Sequence, residues 1–156
     1  MTSTRVPPDV AERRQLAAER HKARHYAVQA LYQWAINGNT LTSIEAHFRE
    51  DFDFKRTDIA YFQELLHEVP TQLADLEAAF APHLDVDIDK LGAVERAVLR
   101  LATYELMKRM DVPYKVVINE AVTLTRKFGA AESHRFVNGV LDKVARDTRS
   151  LETARG

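Results

Sequence analysis

Two consecutive stretches decide the fold of this chain: Asp111-Val-Pro-Tyr-Lys-Val-Val-Ile-Asn-Glu-Ala-Val122 and Arg126-Lys-Phe-Gly-Ala-Ala-Glu-Ser-His-Arg-Phe-Val-Asn-Gly-Val-Leu-Asp-Lys143. Their apolar residues recur at helical spacing, which predicts two amphipathic helices that meet at a Gly-Ala corner. The apolar stripe of the second helix consists of Val137, Val140, Leu141 and Val144. Phe136 lies roughly 100° from that stripe, beside Lys143. A large ring away from the core side of a helix predicts contact with a partner.

The same spacing continues through the rest of the chain and predicts an all-α protein with at least six helices and no sheet. A long first helix is expected to end at Asn37-Gly38, and Thr42 to Glu45 has the pattern of a capping box for the second. Pro70 interrupts the third helical stretch, and Pro113 stands near the start of a later helix. The residues predicted to be buried are Trp34, Val98, Leu101, Val137 and Leu141.

The bulk composition fits a globular protein that works in a reducing cytoplasm. The chain has 156 residues, of which 46% are hydrophobic and 29% are charged. No apolar run has the length of a membrane span, and the polar N-terminus does not resemble a signal peptide. The absence of cysteine excludes disulfides, thiolate zinc sites and thiol catalysis.

No pattern in the sequence indicates an enzyme, a metal site or a cofactor. Asp85-x-Asp87-x-Asp89 begins like a calcium loop, but Lys90 and Arg96 stand where such a loop needs Gly and Glu. His21 and His25 have the spacing of metal ligands without a third ligand nearby, so we interpret them as exposed helix residues. Phosphate-loop, nucleophile-elbow and dinucleotide-binding motifs are absent.

The N-terminal region favours a polyanionic partner. Residues 1–26 contain six Lys or Arg and three acids, although the net charge of the whole chain is −1. On the first helix, one polar face combines a cation, a ring and two amides: Lys22, Tyr26, Gln29 and Gln33. Single-stranded RNA is bound by this mixture of side chains. An ordinary solvated helix face is the alternative, and periodicity does not show whether this face adjoins Phe136.

Several ordered blocks of the sequence resemble the bacterial NusB family of transcription antitermination factors. These blocks are Ala27-Val-Gln-Ala-Leu-Tyr-Gln-Trp34, Glu95-Arg-Ala-Val-Leu-Arg-Leu-Ala-Thr-Tyr-Glu-Leu106, Val112-Pro-Tyr-Lys-Val116 and Ser133-His-Arg-Phe-Val-Asn-Gly-Val-Leu-Asp142. The resemblance implies two packed helical halves. Residues 1–18, before the matching region, are expected to form a flexible tail, which is longer than the family implies. Residues 19–150 are expected to form a single domain, with the halves dividing at about residues 82 and 83.

The resemblance also implies a function and a set of site residues. Family members bind the boxA element of ribosomal RNA leader transcripts together with NusE, a ribosomal protein, and join NusA, NusG and RNA polymerase to suppress termination. At the positions of this sequence that match the family pattern, the resemblance implies the following RNA-binding residues: Arg20, Lys22, Arg24, Tyr26, Glu132, Ser133 and Phe136. Tyr32 and Glu95 are assigned to the NusE side. The usual arginine run of the family is interrupted here at His21 and Ala23.

Two other functions stay open at the level of sequence. A NusB-like module also forms the N-terminal part of certain rRNA cytosine methyltransferases, and the end of this chain at Gly156 without a cofactor-binding domain is expected to exclude the complete enzyme. The second alternative is a helical adaptor or homodimer that acts through protein contacts with weak or no RNA binding.

Overall fold

The structure is a computed structural model that describes residues 8–155, and those residues form helices and no strand. The α-helices are α1 (Pro8–Asn37), α2 (Leu41–Asp51), α3 (Ile59–Thr71), α4 (Leu73–Phe80), α5 (Ala93–Lys108), α6 (Tyr114–Phe128), α7 (Ser133–Thr148) and α8 (Ser150–Ala154). Short 3₁₀ turns at Ala81–His83 and Ile88–Lys90 connect α4 to α5. The all-α prediction is therefore confirmed.

None of the helices between residues 8 and 155 combines the length and the apolar composition needed to cross a membrane.

The ends of the early helices follow local backbone chemistry. α1 ends at Asn37, as predicted, because Gly38 adopts a left-handed φ of 67° and donates its N–H to the Trp34 carbonyl. The predicted capping box is wrong by two residues. Thr40 caps α2, since its side chain accepts a hydrogen bond from the Ser43 N–H at 3.2 Å.

The predicted N-terminal tail differs from the structure in its second part. α1 already begins at Pro8, so residues 8–18 are helical and lie mostly in solvent. Residues 1–7 lie outside the described part of the chain.

A single hydrophobic core joins the N-terminal helices, α1 to α4, to the C-terminal helices. α1 packs on α3 and α5, and α7 packs on α5 and α6. Burial is confirmed for four of the five predicted core residues: Val98, Leu101, Val137 and Leu141. Trp34 is only half-buried, because it lies near the end of α1 at the edge of the core.

A buried ion pair connects the two groups of helices. Arg24 of α1 is 3% exposed and donates two parallel hydrogen bonds to Glu105 of α5, with Nε–Oε1 and Nη2–Oε2 distances of 2.8 Å. Its Nη1 reaches Glu120 of α6 at 2.8 Å, and Tyr61 of α3 donates its hydroxyl to Glu105. Burial alone would lower the pKa of Arg24, but the hydrogen bonds and charge of Glu105 raise it above its ordinary value.

A second buried arginine binds the C-terminal end of α5, close to Glu105. Arg149, at the end of α7, donates to the backbone carbonyls of Glu105, Leu106, Arg109 and Val112 at 2.7–3.1 Å. The last carbonyls of a helix have no partner within it, so a guanidinium can satisfy several of them at once. Arg149 thereby fixes the turn from α5 into α6.

We expect Arg24→Met to destabilise the fold by about 3–5 kcal/mol, because it leaves Glu105 buried without its cation. Urea denaturation measures this loss. Arg14→Met on an exposed turn of the same helix is the control and should change stability by less than about 0.5 kcal/mol. Equal effects of the two substitutions would contradict a structural role for Arg24.

Candidate nucleic-acid interface

The structure removes Arg24 from the set of predicted RNA contacts. Its guanidinium is buried and fully occupied by Glu105 and Glu120, so no phosphate reaches it in this fold. The sequence pattern placed it in a basic run, but on α1 it lies on the same side as the buried Ala23 and Ala27. A cation on the core side of a helix is expected to find a carboxylate inside the protein.

The two other predicted cations, Arg20 and Lys22, lie at the surface but are already in contact with the protein. Arg20 Nη1 is 3.1 Å from Asp111 Oδ2, and its guanidinium stacks over the Tyr61 ring at 4.6 Å. Lys22 Nζ donates to the Lys55 carbonyl at 3.0 Å, which leaves two of its three hydrogens for another acceptor.

Tyr26 is covered by the segment between α2 and α3. Its hydroxyl donates to the Asp53 carbonyl at 3.0 Å, and its ring stacks on Phe54 with a centroid distance of 4.6 Å. Phe52 lies against the same ring at 5.4 Å. The polar face predicted on α1 is therefore interrupted at Tyr26. There the segment between α2 and α3 covers the helix and forms the outer surface of the protein.

Glu95 holds the corner between α6 and α7 together instead of facing a partner. It is 7% exposed and accepts hydrogen bonds from the Ala130 N–H at 3.0 Å and the Ser133 hydroxyl at 2.6 Å. A Cβ at position 129 would lie 2.6 Å from Glu95 Oε2, which explains the glycine there. Ser133 is thus committed to this corner as well.

Phe136 and Glu132 are presented to solvent by this corner. Glu132 has a left-handed φ of 68°, unusual for a residue other than glycine, and forms an ion pair with Arg135 Nε at 3.0 Å. Phe136 is half-buried against the edge of the core, and it lines a hollow of about 350 Å³ with Lys90 and Leu91. The ring is less exposed than the helical wheel predicted, because the segment before α5 packs beside it.

The two predicted RNA elements lie towards opposite ends of α5. Phe136 is beside Gly92 and Glu95, where α5 begins, whereas Arg20 contacts Asp111, beyond its last residue. A helix of 16 residues is about 24 Å long. The basic segment and the Phe136 hollow therefore cannot contact the same nucleotide.

His25, which was predicted to be an exposed helix residue, is half-buried against an aromatic ring of α6. The His25 ring of α1 lies against Phe128, the last residue of α6, with a centroid distance of 5.0 Å, and Lys127 Nζ stands 5.6 Å from the Phe128 ring. Burial, Lys127 and His21 lower the pKa of His25 below its ordinary value. The sequence feature that could have indicated this ring pair is the order Lys127-Phe128-Gly129, which places an aromatic ring next to a cation at the end of a helix.

Tyr32 lies in an apolar groove of about 470 Å³ between α1, α2 and the start of α5. Its side chain is 40% exposed, as the predicted partner contact requires. The other lining residues are Val28, Gln29, Gln33, His47, Phe48, Asp51, Phe52, Val94 and Phe128. Of the two residues predicted to face NusE, only Tyr32 is available at the surface.

The surface described above combines cations, aromatic rings and an apolar groove, which supports a binding role. Between residues 8 and 155, no three His, Asp or Glu side chains come together as metal ligands. The His25 and Phe128 rings pack together with Lys127 beside them, and Phe128 also lines the apolar groove. The fold and this surface define an all-helical binding protein with one face suited to nucleic acid and one groove suited to a protein.

Comparison with known proteins assigns this fold to a family. The model of the NusB family matches residues 21–146. The transcription antitermination protein NusB of Teredinibacter turnerae is 58% identical over 137 residues, which cover 87% of this chain and 93% of that protein. The chain belongs to the NusB family of transcription antitermination proteins.

Solved structures of NusB proteins share the fold. NusB of T. maritima superposes with a TM-score of 0.74 at 27% identity, over 86% of this chain and 96% of that one. A crystal structure of the antitermination factors NusB and NusE in complex with dsRNA superposes with a TM-score of 0.70 at 26% identity, over 81% and 96% of the two chains.

We expect the contribution of Glu95 to stability to depend on pH. Burial alone would raise the pKa of Glu95, but the hydrogen bonds from Ser133 and Ala130 lower it below its ordinary value of 4.5. A lowered pKa gives stability that is present above pH 4.5 and is lost as the pH falls through the folded-state value. Glu95→Gln should thus be less stable than the parent at pH 7, and the difference should shrink as the pH falls through the lowered folded-state pKa.

Urea denaturation of both proteins between pH 3 and pH 7 checks this expectation. Glu50→Gln, at an exposed position of α2, is the control for a general effect of removing one acid. A stability difference that stays constant over the whole range would show that the charge of Glu95 is unimportant for the corner.

Proposed function

We propose that this chain is a non-enzymatic antitermination factor that binds boxA-type RNA of rRNA leader transcripts together with NusE. In this proposal the complex acts in the cytoplasm with NusA, NusG and RNA polymerase to suppress termination. The observation that carries the proposal is the ring of Phe136, which the Glu95–Ser133 corner holds at a surface hollow. The related complex of NusB and NusE with dsRNA supports the choice of partners.

The proposed RNA path runs across the surface from α1 to the start of α7. Lys22 lies towards one end of α5, beside Arg20, whose charge is already paired with Asp111. His25 and Phe128 follow, and Phe136 lies at the other end. Unpaired bases stack on rings of this kind while cations contact phosphates. Glu132 orients the strand at the corner, and Ser133 contributes by holding that corner through Glu95. Arg24 takes no part, because it is buried.

The proposed NusE contact is the groove that contains Tyr32. A half-exposed tyrosine in an apolar groove provides a large, rigid contact area, which is typical of residues that dominate protein interfaces. Glu95 supports this surface only indirectly, by fixing the position of α5 relative to α7. Val94, the preceding residue, lines the groove itself.

Titration of labelled boxA-type RNA with the chain, with and without purified NusE, tests the proposed function. We expect binding that is tighter with NusE and that weakens as the salt concentration rises. Binding to NusE without any RNA binding by the pair would instead favour the adaptor function, for which the internal pairing of Arg20 and Arg24 is the supporting observation. RNA with a scrambled sequence is the control for specificity.

Phe136→Ala should reduce RNA affinity about tenfold, since stacking on a base is worth about 1–3 kcal/mol. The slope of log affinity against log salt should not change, because no charge is removed. Phe136→Leu is the matched control for packing: it keeps the apolar contact with the hollow but offers no aromatic face. Both variants should bind RNA weakly, and urea denaturation should show that the leucine variant keeps its stability. Parental RNA affinity of Phe136→Leu would contradict stacking.

Tyr32→Ala should weaken NusE binding by about 2 kcal/mol or more, as truncation of central interface tyrosines does. Isothermal titration calorimetry with NusE measures the change, and RNA binding by the isolated chain should be unaffected. Leu151→Ala, which truncates an exposed side chain on α8, is the control. If the two variants bound NusE equally well, the partner would not occupy this groove.

A further inference from the structure

The segment between α2 and α3 is built as a rigid part of the surface of α1. Four contacts tie residues 53–58 to that helix. The Tyr26 hydroxyl and the Lys22 ammonium donate to the carbonyls of Asp53 and Lys55, both at 3.0 Å. The Asp58 N–H donates to the Glu19 carbonyl at 3.1 Å, and Asp58 Oδ2 lies 3.6 Å from Arg20 Nε. These contacts hold the backbone of the segment against α1.

Arg56, in the middle of this segment, has a strained backbone. Its φ of 55° lies in the left-handed region, which costs a residue other than glycine, asparagine or aspartate on the order of 1 kcal/mol. The turn is closed by the hydrogen bond from the Thr57 N–H to the Phe54 carbonyl at 3.2 Å. Strain of this kind is concentrated at functional positions, and here it is paired with an exposed cation.

The Arg56 side chain borders a cleft of about 700 Å³ beside α1. The cleft is lined by Gln15, Ala18, Glu19, His21, Lys22 and Arg56. Lys22 contributes an ammonium with two free hydrogens, and the carboxylate of Glu19 is occupied by the Gln15 amide at 3.0 Å. The cleft therefore combines two cations with an acid that already has a hydrogen-bond partner.

Within residues 8–155, no carboxylate lies within 4.0 Å of the Lys55 ammonium or of the Arg56 guanidinium. The neighbouring acids have other partners: Asp53 Oδ1 accepts the Lys55 N–H at 2.9 Å, and Asp58 caps α3 by accepting the Tyr61 N–H at 3.0 Å. These two cations thus differ from Arg20 and Arg24, which the protein itself neutralises. An uncompensated cation pair beside a cleft is complementary to a phosphodiester backbone.

We propose that Lys22, Lys55 and Arg56 form a phosphate-binding clamp for RNA on the α2–α3 segment. This clamp rests on the proposed function, and it names a contact element outside the basic run of α1. In it, Arg56 and Lys22 bind phosphate oxygens from the two sides of the cleft, and Lys55 contacts the adjacent phosphate. The strand then continues past His25 and Phe128 towards Phe136.

Arg56→Asn tests the clamp with the least disturbance of the fold. Asparagine tolerates the left-handed backbone, so the variant removes the charge and keeps the turn. We expect the slope of log affinity against log salt for boxA-type RNA to decrease by about 0.7, and by about 1.4 in the double variant K55Q/R56N. Arg146→Gln, which removes an exposed cation on α7, is the matched control and should keep the parental slope.

The outcomes separate the clamp from the function on which it rests. If Arg56→Asn and the double variant keep the parental slope while Phe136→Ala binds weakly, the clamp is wrong and the RNA-binding function stands. If the clamp variants lose NusE affinity in calorimetry and bind RNA like the parent without NusE, the segment contacts protein and the clamp is also wrong. If the parent binds no RNA with or without NusE, the proposed function fails together with the clamp.

Discussion

The ion pair between Arg24 and Glu105 is the interaction on which the arrangement of the helices depends. Two full charges lie in the interior, where an isolated charge would cost several kcal/mol, so each requires the other in a fixed geometry. Glu120 and Tyr61 satisfy the remaining hydrogen-bonding capacity. Because the four residues come from α1, α3, α5 and α6, the network fixes the orientation of the N-terminal helices relative to the C-terminal ones.

This network also determines which cations are free to bind RNA. Three guanidinium groups, those of Arg20, Arg24 and Arg109, surround the Tyr61 ring at 4.6–5.4 Å. Each is paired with a carboxylate, so the positive charge of this region is largely neutralised inside the protein. Positive charge available to a polyanion lies at Lys22 of α1, at Lys55 and Arg56 between α2 and α3, and at Lys127 of α6.

The sequence predicted the fold well because helical spacing and turn residues are local properties. The all-α class, the end of α1 at Gly38 and the corner at Gly129 followed from such signals. The position of the α2 cap was missed by two residues, since two threonines stand close together and only one has the extended backbone of a cap. Trp34 was predicted to be buried but is half-buried, because the helical wheel of one helix does not show where the neighbouring helices end.

The candidate site could be predicted only in part, because its geometry depends on contacts between distant residues. Tyr32 is exposed, whereas Lys22 and Phe136 are half-buried, Phe136 more deeply than its helical wheel predicted. Burial of Arg24 requires Glu105, which is 81 residues away, and the commitment of Glu95 to Ser133 requires the corner to fold back on α5. The ring pair of His25 and Phe128 joins two helices whose adjacency no periodicity reveals. The sequence therefore identified side chains of the right chemical type. It did not reveal which of them are already hydrogen-bonded or ion-paired within the protein.

The central claim is that RNA crosses this protein from the α2–α3 segment to Phe136 without touching Arg24 or Tyr32. Photo-cross-linking of the parental chain and NusE to boxA-type RNA that carries 5-iodouridine, followed by mass spectrometry of the peptides, tests it most directly. The account predicts cross-links at Phe136 and at the His25–Phe128 pair. Cross-links at Tyr32, or only on α4 and α8, would contradict it.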